Sequence, residues 1–344
     1  MFLFRSGKAT WLVLVIGVVI AAIAGIAILE VGVARKATEF RHDAGESLAT
    51  VQRRFSYELS VVNMVVANFA IHPDTSRRDF DRLVEITLRD APDITFQALE
   101  WIPRISHADR GRYEAGVRAE GFDDFTIRQR SGGDQMVTAA ERDEYFPVHF
   151  VYPFAANKDA FGFDLGSNPT RLAALQQARD TGKTVVSAEI NLVQVAEDVA
   201  GVLIFAPIYR AQRVLSTVAQ RRENLLGFAL GVFRVSGLIA APRALPKLGM
   251  APIDHGELDL YVFDTSSSLD GELIHVHHSG VGAGTAPKLT RHAALTGLYR
   301  EISIDVGGRS WSIVARASNS EIDSVWKWNA GGTALGIMIF SLLG

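Results

Sequence analysis

Cysteine is absent from this chain of 344 residues. That excludes a disulfide framework, a thiol nucleophile and thiolate-held zinc or iron–sulfur sites. It leaves the compartment open, since a secreted domain can fold without disulfides. Charge of one sign is also missing. The 35 Lys and Arg against 38 Asp and Glu give a formal net charge of −3, without the basic surplus that marks a nucleic-acid binder. Catalytic spacing is lacking as well: no Gly-x-Ser-x-Gly elbow, Walker loop or His-Glu-x-x-His motif occurs. Gly280-x-Gly282-x-Gly284 has no following helix and reads as a loop. Neither a cofactor nor catalysis is expected of this segment. The alternatives are a membrane-tethered extracytoplasmic enzyme, which would need a nucleophile and base that no spacing reveals, and a ligand-free dimerisation module.

Apolar residues make up 48% of the chain, and the mean hydropathy of +0.14 is high for a soluble protein. The two ends account for it. Residues 9–29 form 21 positions without a charge, roughly 32 Å of helix against a hydrocarbon core of about 30 Å. Trp11 suits the membrane interface. A cleaved signal peptide would have an apolar core of about 7–15 residues and a small-residue cleavage site. This run is longer and continues into helical pattern, so an uncleaved transmembrane helix is expected. Residues 329–344 are also uncharged and follow Trp326, Lys327 and Trp328. They fall short of the roughly 20 residues of a span, so 326–344 is expected to begin a second, truncated transmembrane helix. Arg5 and Lys8 before the first span are matched by Arg35 and Lys36 after it, so the charge bias is weak. An N-terminus-in arrangement places residues 30–328 outside the cytoplasm.

Proline first occurs at position 73, so one helix can run on from the membrane as a stalk. From Ala37 to Phe69, apolar residues including Phe40, Leu48, Val51, Phe55, Val62 and Phe69 recur in nine steps over 32 residues. That period lies between the coiled-coil and straight-helix repeats. Such a seam serves a helix lying against its own domain or one pairing with a second copy, and both readings stand. After Pro73, Thr75 or Ser76 can cap a short helix whose apolar face is Phe80, Leu83, Val84 and Leu88.

Beyond it the pattern mixes strands with short helices. Residues 96–102, 124–130, 148–152, 185–190 and 202–209 read as strands. Helices are expected from Ser106 to about Ala119 and from Asn168-Pro169 to Gly182. An arginine-rich stretch, 210–224, precedes further strands at 225–236, 258–264 and 272–278, and a hairpin of 300–306 with 310–315 about Gly307-Gly308. The expected class is α+β. A transmembrane helix (9–29) leads to a stalk and short helix (30–92), then modules at 93–210 and 225–318, then the second membrane helix.

Residues 96–209 resemble the CHASE family, extracytoplasmic sensors of cyclase- and histidine-kinase-type receptors. The likeness is carried by Leu99-Glu100-Trp101-Ile102-Pro103-Arg104, Arg112-Tyr113-Glu114 and Tyr145-Phe146-Pro147-Val148. Its densest piece is Gly162-Phe163-Asp164-Leu165-Gly166-Ser167 with Arg171, Ala174-Leu175, Ala178 and Thr181-Gly182, and Gly201-Val202 and Pro207-Ile208-Tyr209 close it. The resemblance implies two PAS-like modules on a long helix, a small-molecule ligand in the membrane-distal one at 93–210, and a missing cytoplasmic histidine kinase, GGDEF/EAL enzyme or cyclase. In the cytokinin-receptor branch a pocket Asp binds an adenine-like ring and a Thr follows on the next strand. Asp164 and Ser187 occupy those positions here. A buried carboxylate needs donors, which a ligand N–H can supply; a turn whose backbone amides Asp164 caps is the other reading.

Trp101 and Phe150 read either as pocket walls or as core. Arg104, Arg112 and Arg171 read either as clamps for a carboxylate or phosphate or as partners of Glu100 or Glu114. His275 and His277 share a strand face, as a metal pair or as a solvated edge. The expected ligand-binding set is Asp164, Ser187, Trp101, Phe150 and Arg171. Expected partners are an adenine-like ligand or a small organic acid, the membrane, and a second copy through the stalk; nucleic acid is not one. The expected place is a cell inner membrane, with the sensor in the periplasm or outside the cell.

Overall fold

A single helix organises the molecule. In the computed structural model, α1 (Ser6–Ile71) runs for 66 residues, about 100 Å at 1.5 Å per residue. The structure describes residues 6–89, 96–132, 135–188, 190–191, 200–239, 258–278 and 288–317. Among these, α1 is the one helix long and apolar enough to cross a membrane. Among the described residues, its apolar N-terminal part is not buried, with Ile28 72% exposed. The second expected span, 326–344, lies outside the described residues.

A turn at 72–76 separates α1 from α2 (Arg77–Leu88), whose N-cap Ser76 accepts the Asp79 amide. Then follow β1 (Phe96–Pro103), β2 (Ile105–Ser106), α3 (Arg110–Ala119), β3 (Arg128–Arg130), β4 (Met136–Thr138), β5 (Glu144–Tyr145) and β6 (Phe150–Tyr152). Next come α4 (Phe154–Asn157), α5 (Pro169–Thr181), β7 (Val185–Val186), β8 (Ile190–Asn191), β9 (Ala200–Tyr209), α6 (Val218–Asn224), β10 (Leu225–Arg234) and α7 (Val235–Ile239). The chain continues with β11 (Leu258–Asp264), β12 (Glu272–His277), α8 (Arg291–Ala294), β13 (Tyr299–Val306) and β14 (Arg309–Ala317).

Two main antiparallel sheets result, beside the two-stranded pairs β2-β5 and β3-β4. The larger is six-stranded in the order β6-β1-β10-β9-β7, with β8 also on β9; the smaller has the order β12-β11-β14-β13. Both pack on α1, at different heights. Nearer the apolar end, Arg300 on β13 donates to the Arg41 carbonyl at 2.6 Å, and the rings of Phe55 and Trp311 lie 6.2 Å apart. Farther along, Phe69 stacks on Trp101 of β1 at 4.3 Å. Gly231 on β10 permits the close approach between them, since a Cβ there would lie 2.9 Å from a Val62 methyl carbon.

The stalk seam therefore faces inward. Phe40, Leu48, Val51, Phe55, Val62 and Phe69 are buried in one core with both sheets, which answers the choice left open by the periodicity. Burial on the chain's own sheets takes the apolar area of these residues out of water.

Other expectations shift. Residues 225–234, assigned by pattern to the second module, form β10 between β1 and β9 of the larger sheet. Apolar strands carry no label for the sheet they join. Residues 235–236, expected as strand, begin α7. The strand expected at 124–130 shrinks to β3, because Phe125 turns into an aromatic cluster with Phe161. The strand expected at 185–190 breaks after Val186.

Candidate ligand-binding site

Alternation along β1 sorts its side chains between two faces of the larger sheet. Leu99 and Trp101 join the core shared with α1, whereas Ala98 and Ile102 join the cluster beneath α5. Glu100, between them in register, shares the α5 side with Arg171 as its charged neighbour.

Helix α5 is well specified locally. The Asn168 side chain accepts the Arg171 amide, Pro169 opens the first turn, and Gly182 closes the helix at φ 73°. Leucine and alanine at 174, 175 and 178 bury the inner face on the sheet. The same stripe carries Arg171 into the interior, where it is 6% exposed. Its guanidinium lies 5.0 Å from the Phe163 ring centroid. Its buried Nε has no hydrogen-bond partner among the described residues. Burial lowers its pKa to about 10, partly offset by Glu100.

Glu100 is 1% exposed. Burial pushes its pKa up to about 8, opposed by the charge of Arg171, so near neutral pH most of its population carries a proton. Glu100 and the open Arg171 Nε thus lie on the face of the sheet that carries the apolar cluster of Phe146, Phe163, Phe205 and Phe228. The arrangement suits binding of an acceptor-bearing small molecule.

The expected site residues do not come together. Trp101 and Phe150 lie on the opposite face of the sheet, against Phe69 and Phe80. Asp164 is fully buried, but its Oδ1 accepts the amides of Phe146 at 2.8 Å and Gly166 at 3.0 Å. Its Oδ2 lies 3.4 Å from an Arg142 nitrogen. Burial raises its pKa, and those amides and Arg142 oppose the rise. The Ser187 hydroxyl donates to the Ala188 carbonyl at 2.7 Å and accepts the Leu203 amide at 3.1 Å, finishing the β7–β9 pairing. Both side chains are engaged by the frame, whereas Arg171 presents an open Nε donor.

The other candidates have internal partners. Arg104 pairs with Glu144 at 2.7 Å, and Glu144 also holds Arg179 at 3.0 Å. Arg112 pairs with Asp109 at 2.6 Å on the surface. His275 is half-buried on β12, and that burial together with His277 lowers its pKa to about 4. No group of three or more metal-ligating side chains occurs among the described residues. Glu100 was visible in sequence as the single charge within Phe96–Pro103, a signal of a buried polar group. Arg142 lies in a loop and gave no such signal.

Comparison with known proteins assigns the chain. The family model described as the CHASE domain matches residues 73–275. Hybrid signal transduction histidine kinase A of Dictyostelium discoideum is 28% identical over 294 residues, 82% of this chain and 13% of that protein. The germination-specific adenylate cyclase of the same organism is 22% identical over 238 residues, 69% of this chain and 26% of its own. This chain thus spans only a minor part of either relative. Among solved structures, the ligand-binding domain of the Pseudomonas aeruginosa amino-acid chemoreceptor PctC in complex with GABA aligns with a TM-score of 0.40 and 12% identity, over 77% of this chain and 92% of that one. The periplasmic sensory domain of the Campylobacter jejuni chemoreceptor Tlp1 aligns with a TM-score of 0.40 and 13% identity, over 85% and 95%. With the family model matched over more than half of its length, the chain belongs to the CHASE domain family of sensors.

Proposed function

We propose that this chain is the extracytoplasmic part of a transmembrane receptor, and that its ligand is a small molecule held beneath α5 on the larger sheet. Residues 9–29 anchor it. In this reading β13 and β14 form a membrane-proximal module and the larger sheet a membrane-distal one, since they follow in that order along α1. The supporting observation is Arg171, a buried guanidinium with an open Nε beside Glu100. Desolvated cations are costly without acceptors, and a carboxylate or ring acceptor on a ligand supplies one. Asp164 and Ser187 act here as frame residues, with Asp164 holding the turn into α5.

Ligand binding shifts the receptor only through its different affinity for two arrangements of the distal sheet on α1. A coupling of about 1–3 kcal/mol would alter output by roughly 5–150-fold. The output enzyme, a histidine kinase or cyclic-nucleotide enzyme, belongs to the same proposal. Thermal-shift screening of the full chain in lipid nanodiscs against small organic acids and adenine-like compounds tests the site. Hits should lose their shift in Arg171→Gln and Glu100→Gln. Hits that keep full affinity in both folded variants would place the ligand elsewhere.

A further inference from the structure

Arg77 opens α2, and its side chain leaves the helix for an aromatic cluster that the ligand site does not use. Its guanidinium carbon lies 4.8 Å from the ring centroids of Phe122 and Phe150 and 4.9 Å from that of Phe161. One nitrogen donates to the His149 carbonyl at 2.8 Å and another to the Glu120 carboxylate at 3.2 Å. Three aromatic faces with a carbonyl and a carboxylate are the components of an organic-cation site.

The walls stand without the cation. Phe161 packs on Phe122 at 4.8 Å and on Phe125 at 4.9 Å, and the Tyr113 hydroxyl meets His149 Nδ1 at 3.0 Å. These residues come from α3, β6 and the loops around them; α2 contributes the guanidinium and, behind the Phe150 wall, Phe80. The mouth is open. Arg77 keeps 21% of its side chain exposed and lines an open groove of about 730 Å³ along α2, which also carries Arg78, Asp81, Arg82, Glu85 and Arg89. A second cation can therefore reach the cage from solvent, past a surface on which four arginines outnumber two acids.

We propose that this cage is a binding site for a guanidinium-type cation, occupied in this structure by the chain's own Arg77, and that a free alkylguanidinium competes for it and frees the first turn of α2. A tethered group has an effective concentration of the order of millimolar, so a free competitor acts only above that range while Arg77 remains. A lysine does not replace Arg77, because its compact ammonium lacks the planar fork that meets rings and acceptors together.

The test uses the full chain in lipid nanodiscs, methylguanidinium as probe and sodium chloride at equal ionic strength as control. Saturation-transfer NMR on the probe's methyl signal should show at least tenfold tighter binding to Arg77→Ala than to wild type. The double variant Arg77→Ala/Phe161→Leu should lose that gain. In wild type, methylguanidinium and not sodium chloride should speed amide exchange at residues 77–80. Equal affinities for wild type and Arg77→Ala, or no binding by a folded Arg77→Ala, would overturn the proposal. If Arg77→Ala does not fold, the wild-type exchange decides alone, and unchanged exchange at 77–80 overturns it.

Discussion

Glu100 and Asp164 are both buried acids, yet they are solved differently. Asp164 receives two backbone amides and an arginine. Replacing it with alanine leaves those amides without acceptors, at about 1–3 kcal/mol for each unsatisfied group. Asp164→Ala is expected to lower the melting temperature by several degrees, and Asp164→Asn, which keeps one acceptor, by less; differential scanning calorimetry checks the order. Glu100 has its folded pKa raised to about 8 from an ordinary 4.5. The folded state therefore holds a proton that the unfolded chain has released. Its contribution is complete below about pH 4.5 and is lost as pH rises through about 8. Wild type should lose melting temperature between pH 6 and 9, whereas Glu100→Gln should lose clearly less over the same range. Parallel curves would assign the pH dependence to other groups.

Among the elements, α1 is the common wall of both sheets, and its helical period was plain from the sequence. Which surface the seam met was not, because apolar residues at that spacing satisfy a partner helix and a sheet equally well. Phe55 packs on Trp311, so Phe55→Ala is expected to destabilise the chain by about 3–5 kcal/mol. Its sedimentation mass should be unaltered under native conditions; a shift from dimer to monomer in a still-folded variant would return the seam to a partner. Gly231 tests the same contact from the sheet. Its added Cβ would lie 2.5 Å from the Phe233 ring as well as close to Val62, so Gly231→Ala should cost about 1–3 kcal/mol by overpacking. The N-cap at Asn168 was legible, since an Asn-Pro step carries its own local geometry, and Asn168→Ala should cost about 1 kcal/mol in chemical denaturation.

For the whole molecule, the order along α1 is an apolar segment, then the small sheet, then the large sheet. In the proposed reading, a signal from a ligand beneath α5 crosses the β1 and β10 strands to reach the helix. Trp101 on β1 stacks on Phe69 of α1 and stands on the reverse face from Arg171. Its fluorescence is expected to change when a ligand fills the α5 face, and that change should vanish in Arg171→Gln. An unchanged spectrum on saturating binding would mean that the sheet does not relay the event through this contact.

Local chemistry determined much of this protein from sequence alone. The apolar run, the proline-free helix, the caps of α5, the hairpin at Gly307-Gly308 and the motif of the CHASE family each depend on residues close together in the chain. Tertiary structure alone decided what lies beside what. It put β10 into the larger sheet, turned Trp101 and Phe150 away from Arg171, and closed Asp164 and Ser187 onto backbone groups. It also brought Arg77 to Phe122, Phe150 and Phe161. Period and capping are set by neighbours three or four positions away. The face a strand residue occupies, and the partner a buried charge finds, depend on segments tens to hundreds of residues apart, and a single sequence does not record which of several compatible surfaces will meet.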